Sequence, residues 1–205
     1  MSRAKIVLAT SNRGKLREIS QTLAGLPVTV LSLKDVGAAA SVEETGRTFR
    51  ENARLKSIAY SLESGYLTLA EDSGLEVERL SGAPGIYSAR FSAPPPTDEK
   101  NVRKVLRLMK GVPWSGRRAR FVCHLVLAWR GTVIKETRGV VRGRIALAAK
   151  GKGGFGYDPI FFYAPFRKTF AEVPPETKNA VSHRGRALAM MKIFLAGYLR
   201  RKSSA

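Results

Sequence analysis

The feature that most constrains the fold is the alternation of short apolar runs with segments of helical periodicity in the first half of the chain. The apolar run "KIVLA" (Lys5 to Ala9) breaks into small and polar residues, and a helical pattern with Leu16, Ile19 and Leu23 on one face follows at once. Short apolar runs predict buried strands, and the 3.6-residue periodicity predicts helices that pack against them. The order strand, turn, helix is typical of a sheet covered by helices.

The same patterns predict further elements along the chain. The predicted strands are Lys5–Ala9, Val28–Leu33, Leu67–Ala70, Arg120–Trp129, Thr132–Arg138 and Ile160–Phe162. The predicted helices are Lys15–Ala24, Thr48–Glu63, Asp98–Met109 and Arg184–Leu199. Helices and strands alternate early, whereas adjacent strands dominate from 118 to 145. This order predicts a mixed sheet in an α/β or α+β fold, with two lobes and a cleft.

The composition indicates a globular chain with a strong excess of positive charge. The 205 residues are enough to bury a sizeable interior, and a hydrophobic share of 44% is ordinary for a soluble protein. The formal charge of +20 comes from basic residues dispersed along the sequence, which favours a solvated basic surface over a dedicated nucleic-acid groove. Non-specific electrostatic binding of nucleic acid and attraction to polyphosphates follow from this charge.

The counts of cysteine and histidine exclude two kinds of site. The single cysteine, Cys123, cannot form an internal disulfide, and its place in the apolar run "FVCHLVLAW" predicts a buried structural thiol. Only two histidines accompany it, so a zinc site is excluded. The sequence shows no signal-peptide pattern and no apolar stretch near ~20 residues, which predicts a cytoplasmic protein without membrane contact.

The turn after the first predicted strand, "LATSNRGKLREI", raises a question about phosphate. It is not the ATP-binding P-loop, because Gly14-Lys15 is followed by leucine and no glycine stands five residues before Gly14. A helix N-terminus still attracts anions through its unpaired N–H groups and its dipole, and Asn12 or Ser11 is the expected N-cap. The segment therefore fits either a phosphate cradle or an ordinary capped helix.

Two acidic pairs stand out because the chain has only 16 acidic residues. Glu43-Glu44 precedes the second predicted helix, and Glu71-Asp72 ends the apolar run "YLTLA" before a Ser-Gly turn. Carboxylates at the end of a strand lie where α/β sheets usually place ligands. Together with substrate phosphate oxygens they suit Mg²⁺, although taken alone each pair is more often a surface feature of a loop or a partner of a helix dipole.

Three further stretches contain residues suited to ligand binding. "GGFGYDPIFF" (153–162) combines glycines with aromatic residues and an aspartate, and "SGAPGIYSARF" (81–91) is a second Gly/Pro loop. "KNAVSHRGRAL" (178–188) predicts Ser182 as an N-cap with His183 in the first helical turn. Each stretch on its own could be turn chemistry alone.

Taken together, these stretches resemble the inosine/xanthosine triphosphate pyrophosphatases, enzymes that act on noncanonical purine nucleotides (the Ham1-like family). The resemblance runs from about residue 5 to 199 and rests on "ATSNRGKLREI", "EETGRTFRENARLK", "AEDSGLEVERLSGAPGIYSARF", "GGFGYDPIF" and "KNAVSHRGRAL" in that order. It implies an elongated α/β fold with a long central mixed sheet, as one domain over residues 1–205 with two lobes and a cleft between them. It also implies a homodimer and the reaction NTP + H₂O → NMP + pyrophosphate with Mg²⁺.

The resemblance also implies roles for individual residues. The triphosphate would be held by Thr10, Ser11, Asn12, Arg13, Gly14, Lys15 and Lys56. Glu44 and Asp72 would bind the metal, Asp72 would also accept the proton of the attacking water, and Ser73 would touch the substrate. The purine would be surrounded by Phe155, Gly156, Tyr157, Asp158, Lys178, His183 and Arg184.

The chemistry of the reaction is consistent with these residue types. Pyrophosphate is a stable leaving group once its charge is neutralised, and a carboxylate such as Asp72 can accept the proton of an oriented water. Phe155 offers a face for a base to stack on, and the Arg184 guanidinium suits the 6-keto oxygen of hypoxanthine or xanthine. Adenine would leave such donors unpaired, which can cost as much as ~10⁴-fold in rate.

Two alternatives predict a different substrate or no catalysis at all. A Maf-type nucleotide pyrophosphatase has a similar fold but prefers pyrimidine or modified nucleotides, and "GGFGYDP" and "SHR" favour the purine enzyme over it. A non-catalytic basic nucleic-acid-binding protein would bind DNA or RNA with a steep salt dependence and would not turn over nucleotides. The two acidic clusters argue against that second alternative.

Overall fold

A computed structural model describes residues 3–38 and 42–203. The chain divides into two compact units. Unit 1 comprises Met1–Asp72, Cys123–Gly139 and Arg184–Ala205, and unit 2 comprises Ser73–Val122 and Val140–His183. The expectation of a single domain over residues 1–205 stays a prediction.

The described residues contain seven strands in one mixed sheet of the order β2-β1-β3-β4-β5-β6-β7. Their bounds are β1 Ala4–Ala9, β2 Val28–Ser32, β3 Leu67–Val77, β4 Arg118–Trp129, β5 Thr132–Ile145, β6 Phe161–Tyr163 and β7 Lys168–Thr169. Strand β1 pairs in parallel with both β2 and β3, whereas β6 pairs antiparallel with β5 and β7. The predicted mixed sheet and α/β class are confirmed.

Five α-helices lie in the described part of the chain: α1 Arg13–Leu23, α2 Phe49–Ser64, α3 Asp98–Leu108, α4 Pro175–Val181 and α5 His183–Ser203. Helices α1, α2 and α3 begin after side-chain N-caps, which are Asn12, Thr48 and Thr97 in turn. Each cap accepts the backbone N–H three residues on, which satisfies one of the donors that a helix start leaves unpaired. Within residues 3–38 and 42–203, no helix is long and apolar enough to cross a membrane.

The core of unit 1 fills the space between its strands and helices α1 and α5. Alternate residues of β1 (Ile6, Leu8) and β4 (Leu125, Leu127) are fully buried in it, as the two-residue period of a strand requires. Met191 of α5 and its apolar neighbours complete the cluster. Cys123 lies in the same cluster and is a buried free thiol, so the prediction of a structural cysteine is confirmed.

The core of unit 2 is richer in aromatic residues. Phe121, Phe161 and Phe170 pack against one another with ring centroids 4.5 to 6.3 Å apart. Arg117 is also buried there, and its guanidinium donates to the carbonyl oxygens of Met109, Val112, Ile145 and Ala146. Four carbonyl acceptors replace the water that a buried guanidinium loses, so this side chain joins separate backbone segments of the unit.

Several features of the fold differ from the sequence prediction, among them the short strand β7, which was not predicted. Strand β3 continues to Val77 instead of ending at Ala70, so Glu71 and Asp72 lie inside a strand and Ser73-Gly74 does not form a turn. Strand β5 extends to Ile145 instead of ending at Arg138. In its second half the buried residues Gly139 and Val141 alternate with less buried ones, as the period of a strand requires. The short helix α4, which holds Lys178, was not predicted.

Candidate active site

The turn after β1 forms the capped start of α1. Asn12 is the N-cap, since its Oδ1 accepts the backbone N–H of Lys15 at 3.0 Å, and its own N–H donates to Thr10 Oγ1 at 3.2 Å. The side chains of Ser11, Asn12 and Arg13 are exposed. The structure therefore confirms the capped helix and presents several donors at its positive end, which is the environment an anion prefers.

The charged centre of unit 1 is the carboxylate of Glu71. This side chain is fully buried and lies 3.0 Å from the Lys15 ammonium. Arg184 donates to both of its oxygens, from Nε at 2.6 Å and from Nη2 at 2.9 Å. Burial alone would raise the pKa of Glu71, but the charges and hydrogen bonds of Arg184 and Lys15 hold that pKa well below its usual value. Glu71 is therefore an anion that fixes two cationic side chains.

Glu18 completes this network from helix α1. Its Oε2 lies 2.5 Å from Nη1 of Arg184, so the guanidinium is held between two carboxylates. The thiol of Cys123 contacts Glu71 as well, at 3.9 Å from Sγ to Oε2. Burial beside that carboxylate raises the pKa of Cys123 well above its usual value, which keeps it an unreactive thiol. Arg184 thus binds carboxylates of its own unit, and its predicted contact with a purine stays a prediction.

Asp72, the next residue along β3, forms a second group with the predicted metal and phosphate residues. The Lys56 ammonium lies 2.6 Å from Glu44 Oε1 and 3.9 Å from Asp72 Oδ1. Burial raises the pKa of Asp72 above its usual value, and the positive charges of Lys56 and Lys15 only partly counteract this. Four side chains predicted from three motifs are therefore brought together in unit 1: Lys15, Glu44, Lys56 and Asp72.

The carboxylates of this second group fit Mg²⁺ when further ligands complete the site. In the described part of the chain, no three His, Cys, Asp or Glu side chains are grouped to hold a metal ion on their own. Two carboxylates, Glu44 and Asp72, face one cationic group, the Lys56 ammonium. Mg²⁺ is usually held by one or two carboxylates together with substrate phosphates, so this pair fits Mg²⁺ with a nucleotide better than Mg²⁺ alone.

One polar side chain that the sequence analysis did not single out contacts both Asp72 and the loop that follows Glu44. Asn52 of α2 is fully buried, with Nδ2 3.2 Å from Asp72 Oδ2 and Oδ1 2.8 Å from the backbone nitrogen of Gly46. A signal for it exists in the sequence. Asn52 falls on the same helical face as the buried Phe49 and Ala53, and a polar residue on an apolar face needs an internal partner.

In unit 2, the loop "FGYD" is organised by the carboxylate of Asp158. Its Oδ2 accepts the backbone N–H of Phe155 at 2.9 Å and contacts the Lys178 ammonium at 2.6 Å. The same ammonium lies 4.7 Å from the centroid of the Phe155 ring. Asp158 and Lys178 are both buried, whereas Phe155 keeps part of its surface accessible. Phe155 is therefore the ring of this loop that a ligand could reach.

The remaining predicted purine contacts of unit 2 make structural contacts. The Tyr157 hydroxyl donates to the carbonyl of Ser88 at 2.8 Å, and burial raises the pKa of that phenol well above its usual value. The Gly156 N–H donates to Asp98 Oδ2 at 2.7 Å. His183 is buried and stacks on Phe121 with centroids 4.7 Å apart. Ser73 lies within β3 directly after Asp72. Their contacts with substrate stay predictions.

Comparison with known proteins finds relatives that match nearly the whole chain. The Ham1 family matches residues 6–194. A dITP/XTP pyrophosphatase from Geobacter sulfurreducens is 48% identical over 188 residues, which cover 92% of this chain and 94% of that protein. A HAM1 protein from Coxiella burnetii has a solved structure with a TM-score of 0.87 at 37% identity, covering 95% of this chain and 99% of that one. The Staphylococcus aureus Ham1 protein gives a TM-score of 0.85 at 39% identity, with 95% and 99% covered. The chain therefore belongs to the Ham1 family.

Proposed function

We propose that this chain hydrolyses deaminated purine nucleoside triphosphates (ITP, dITP and XTP) to the monophosphate and pyrophosphate. The observation that carries the proposal is the convergence of Lys15, Lys56, Glu44 and Asp72 in one unit, two cationic and two anionic side chains from four separate segments. The names of the relatives support the same reaction, since several with 42% to 48% identity are dITP/XTP pyrophosphatases.

In this proposal the two lysines hold phosphate oxygens and Asp72 accepts the proton of the attacking water. Lys15 stands in the first turn of α1, where backbone N–H groups already favour an anion. Asp72 is a buried carboxylate at the same group of side chains, and a carboxylate positioned beside the attacking water can accept its proton. Water attack at the α-phosphorus forms a P–O bond, breaks the bond to the β-phosphate oxygen, and releases pyrophosphate with the electron pair of that bond.

Glu44 and Asp72 would hold Mg²⁺ together with the phosphates. Bound there, the cation would neutralise charge on the phosphate oxygens and on the leaving pyrophosphate. In this structure the Lys56 ammonium lies 2.6 Å from Glu44 and is the positive charge beside that proposed metal ligand. Lys56 would then transfer its contact from the carboxylate to a phosphate oxygen when substrate binds.

The purine would be recognised by the loop of unit 2 that carries Phe155. Its partly accessible ring can stack on a base, and Lys178 and Asp158 fix the backbone of the loop. Tyr157 of the same loop is buried, so its contribution would come through the shape of the loop. The homodimer and the cytoplasmic location also stay inferences. Gel filtration with light-scattering detection tests the homodimer, because it measures the mass of the assembly.

The test is a substrate panel with a direct product assay. The purified protein is incubated with Mg²⁺ and ITP, dITP, XTP, ATP, GTP or dUTP, and pyrophosphate and orthophosphate are measured separately. Pyrophosphate from the first three nucleotides, with little from the others, is the expected result. Orthophosphate would show attack at the γ-phosphorus, and preferential turnover of dUTP would favour the Maf-type alternative.

A variant pair tests the proton acceptor. Asp72→Asn should lower kcat by about 10²–10⁴-fold, the usual contribution of general-base catalysis, while leaving the circular dichroism spectrum unchanged. Asp35→Asn is the matched control, because Asp35 is an exposed aspartate of the same unit that accepts hydrogen bonds from Ser32 of its own turn. Equal activity of the two variants would remove Asp72 from the mechanism.

A further inference from the structure

Asn52 joins the two acidic segments of the candidate site by its two side-chain hydrogen bonds. Its Nδ2 donates to Asp72 Oδ2 at 3.2 Å, and its Oδ1 accepts the Gly46 N–H at 2.8 Å. Gly46 lies two residues after Glu44, so one amide side chain contacts the proposed proton acceptor and the loop of the other proposed metal ligand. Its exposed fraction is 0%, which means that water does not compete for either contact.

The orientation of this amide is determined by its neighbours. A backbone N–H can only donate, so the group that faces Gly46 must be the amide oxygen. The NH₂ group must then face Asp72, where an ionised carboxylate can only accept. As a result Oδ2 of Asp72 is engaged by Asn52, whereas Oδ1 is the oxygen that lies on the side of Lys56.

The residue type at position 46 supports the importance of this contact. A Cβ atom placed on Gly46 would lie 2.6 Å from Asn52 Oδ1 and 2.9 Å from the Asn52 backbone nitrogen. Neither distance is compatible with van der Waals radii, and the backbone nitrogen cannot rotate away. The close approach of the loop to Asn52 is therefore possible because residue 46 has no side chain.

The same arrangement occurs a second time in the chain, in unit 2. Asn101 follows the N-cap Thr97 by four residues, as Asn52 follows the N-cap Thr48, and it is 2% exposed. Its Oδ1 accepts the Ser92 N–H at 2.7 Å, and its Nδ2 donates to a backbone carbonyl, that of Ala89, at 3.1 Å. The two asparagines thus differ in one respect, because Asn52 directs its NH₂ group at the carboxylate of Asp72.

We propose that Asn52 is a positioning residue for the reaction. It holds the Asp72 carboxylate in one rotational state, with Oδ1 directed away from the amide, and it fixes the loop of Glu44 at the same time. This inference rests on the proposed function, because it concerns the orientation of the group that accepts the proton. Asn101 performs the same tethering of a loop where no reacting group is involved.

Two substitutions separate positioning from a purely structural role. Asn52→Asp and Asn101→Asp each keep the oxygen that accepts the loop N–H, and each replaces the NH₂ donor by an oxygen that faces another oxygen. Both should lower the thermal midpoint of unfolding, and the loss at position 52 includes the repulsion of two carboxylates. Only Asn52→Asp should lower kcat, by about 100-fold, since a reacting group displaced by about 1 Å costs that much.

The separation of kcat from KM is the decisive measurement. Loss of an oriented proton acceptor lowers kcat and kcat/KM equally and leaves the KM for ITP close to the wild-type value. Asn52→Ala should behave in the same way, because it removes the donor without adding a charge. General loosening of the fold would instead raise KM, and it would do so for Asn101→Asp as well.

The outcomes distinguish this inference from the proposed function. If the wild-type protein releases no pyrophosphate from ITP, the proposed function fails and the inference fails with it. If the wild-type protein is active and Asn52→Asp keeps the kcat of Asn101→Asp, only the role of Asn52 is overturned. Loss of the folded circular dichroism spectrum in both position-52 variants would assign the residue to folding and overturn the inference too.

Discussion

Replacing Glu71 by glutamine removes the negative charge at the centre of the unit 1 network while keeping the shape of the side chain. The carboxylate is fully buried and contacts Arg184 through two hydrogen bonds and Lys15 at 3.0 Å. Removing one partner of a buried ion pair leaves an uncompensated charge and typically costs about 3–5 kcal/mol. We therefore expect Glu71→Gln to lower the free energy of unfolding by about that amount.

A matched surface variant provides the comparison. Glu136 of the same unit also pairs with two arginines, Arg50 and Arg54, whose side chains are 57% and 41% exposed to water. Exposed pairs contribute about 0–1 kcal/mol, so Glu136→Gln should lower the free energy of unfolding by no more than that. Urea unfolding at pH 7, followed by far-UV circular dichroism, measures both. Equal losses for the two variants would refute the argument from burial.

The pH dependence gives a second check on the same residue. The pKa of Glu71 is held well below 4.5 in the folded protein, so the unfolded chain binds its proton at a higher pH than the folded one does. Its stabilisation is therefore fully present above pH 4.5 and is lost as the pH falls from 4.5 through the lower folded pKa. The stability difference between wild type and Glu71→Gln should be constant above that window and shrink within it.

Three further predictions concern single contacts. Gly46→Ala should lower the free energy of unfolding by about 1–3 kcal/mol, because the new Cβ would overlap Asn52. Gly197→Ala in α5 has room for a Cβ and should raise the free energy of unfolding by about 0.5–1 kcal/mol. Urea unfolding measures both variants, and an unchanged stability of Gly46→Ala would contradict the steric argument. Lys178→Met leaves the buried Asp158 carboxylate without the Lys178 ammonium and should lower the free energy of unfolding by about 3–5 kcal/mol. Urea unfolding measures this, and an unchanged midpoint would show that the ion pair does not stabilise unit 2. Arg117→Met removes the donor from four carbonyl oxygens and should lower the free energy of unfolding by about 3 kcal/mol or more. Thermal unfolding measures it against Arg118→Met, because the Arg118 side chain is exposed and lies 3.8 Å from Glu78.

The sequence predicted the fold class well because periodicity reports local structure. The four predicted helices all occur, with ends within three residues of the prediction except at the end of the last, and the N-caps Asn12 and Thr97 are confirmed. The length of β3 could not be predicted, since its second half contains charged and small residues, EDSGLEV, which are usually unfavourable in strands. Pairing with neighbouring strands outweighs that local preference.

The candidate site was predicted in its separate parts but not in its connections. The motifs gave Lys15, Glu44, Lys56 and Asp72 as individual residues, and the structure shows how they are grouped. The ion pairs of Arg184 with Glu71 and Glu18 join residues 113 and 166 positions apart, and no local pattern encodes such distances. Asn52 was missed because its one signal, a polar residue on the helical face of Phe49 and Ala53, does not show which group it contacts.

The side chains grouped around Glu71 and Asp72 carry a local charge opposite in sign to that of the whole chain. Four carboxylates, those of Glu18, Glu44, Glu71 and Asp72, accompany three cationic side chains, those of Lys15, Lys56 and Arg184. The formal +20 of the chain is therefore carried by residues outside this group, and those among them that are distant from the site act on a nucleotide at long range, where salt screens their charge. Within this group the formal charge is −1, three cationic side chains against four carboxylates, so an anion whose charge is already partly neutralised by a bound cation is favoured there over the bare one. Salt should consequently slow the arrival of substrate more than it weakens the contacts made after arrival.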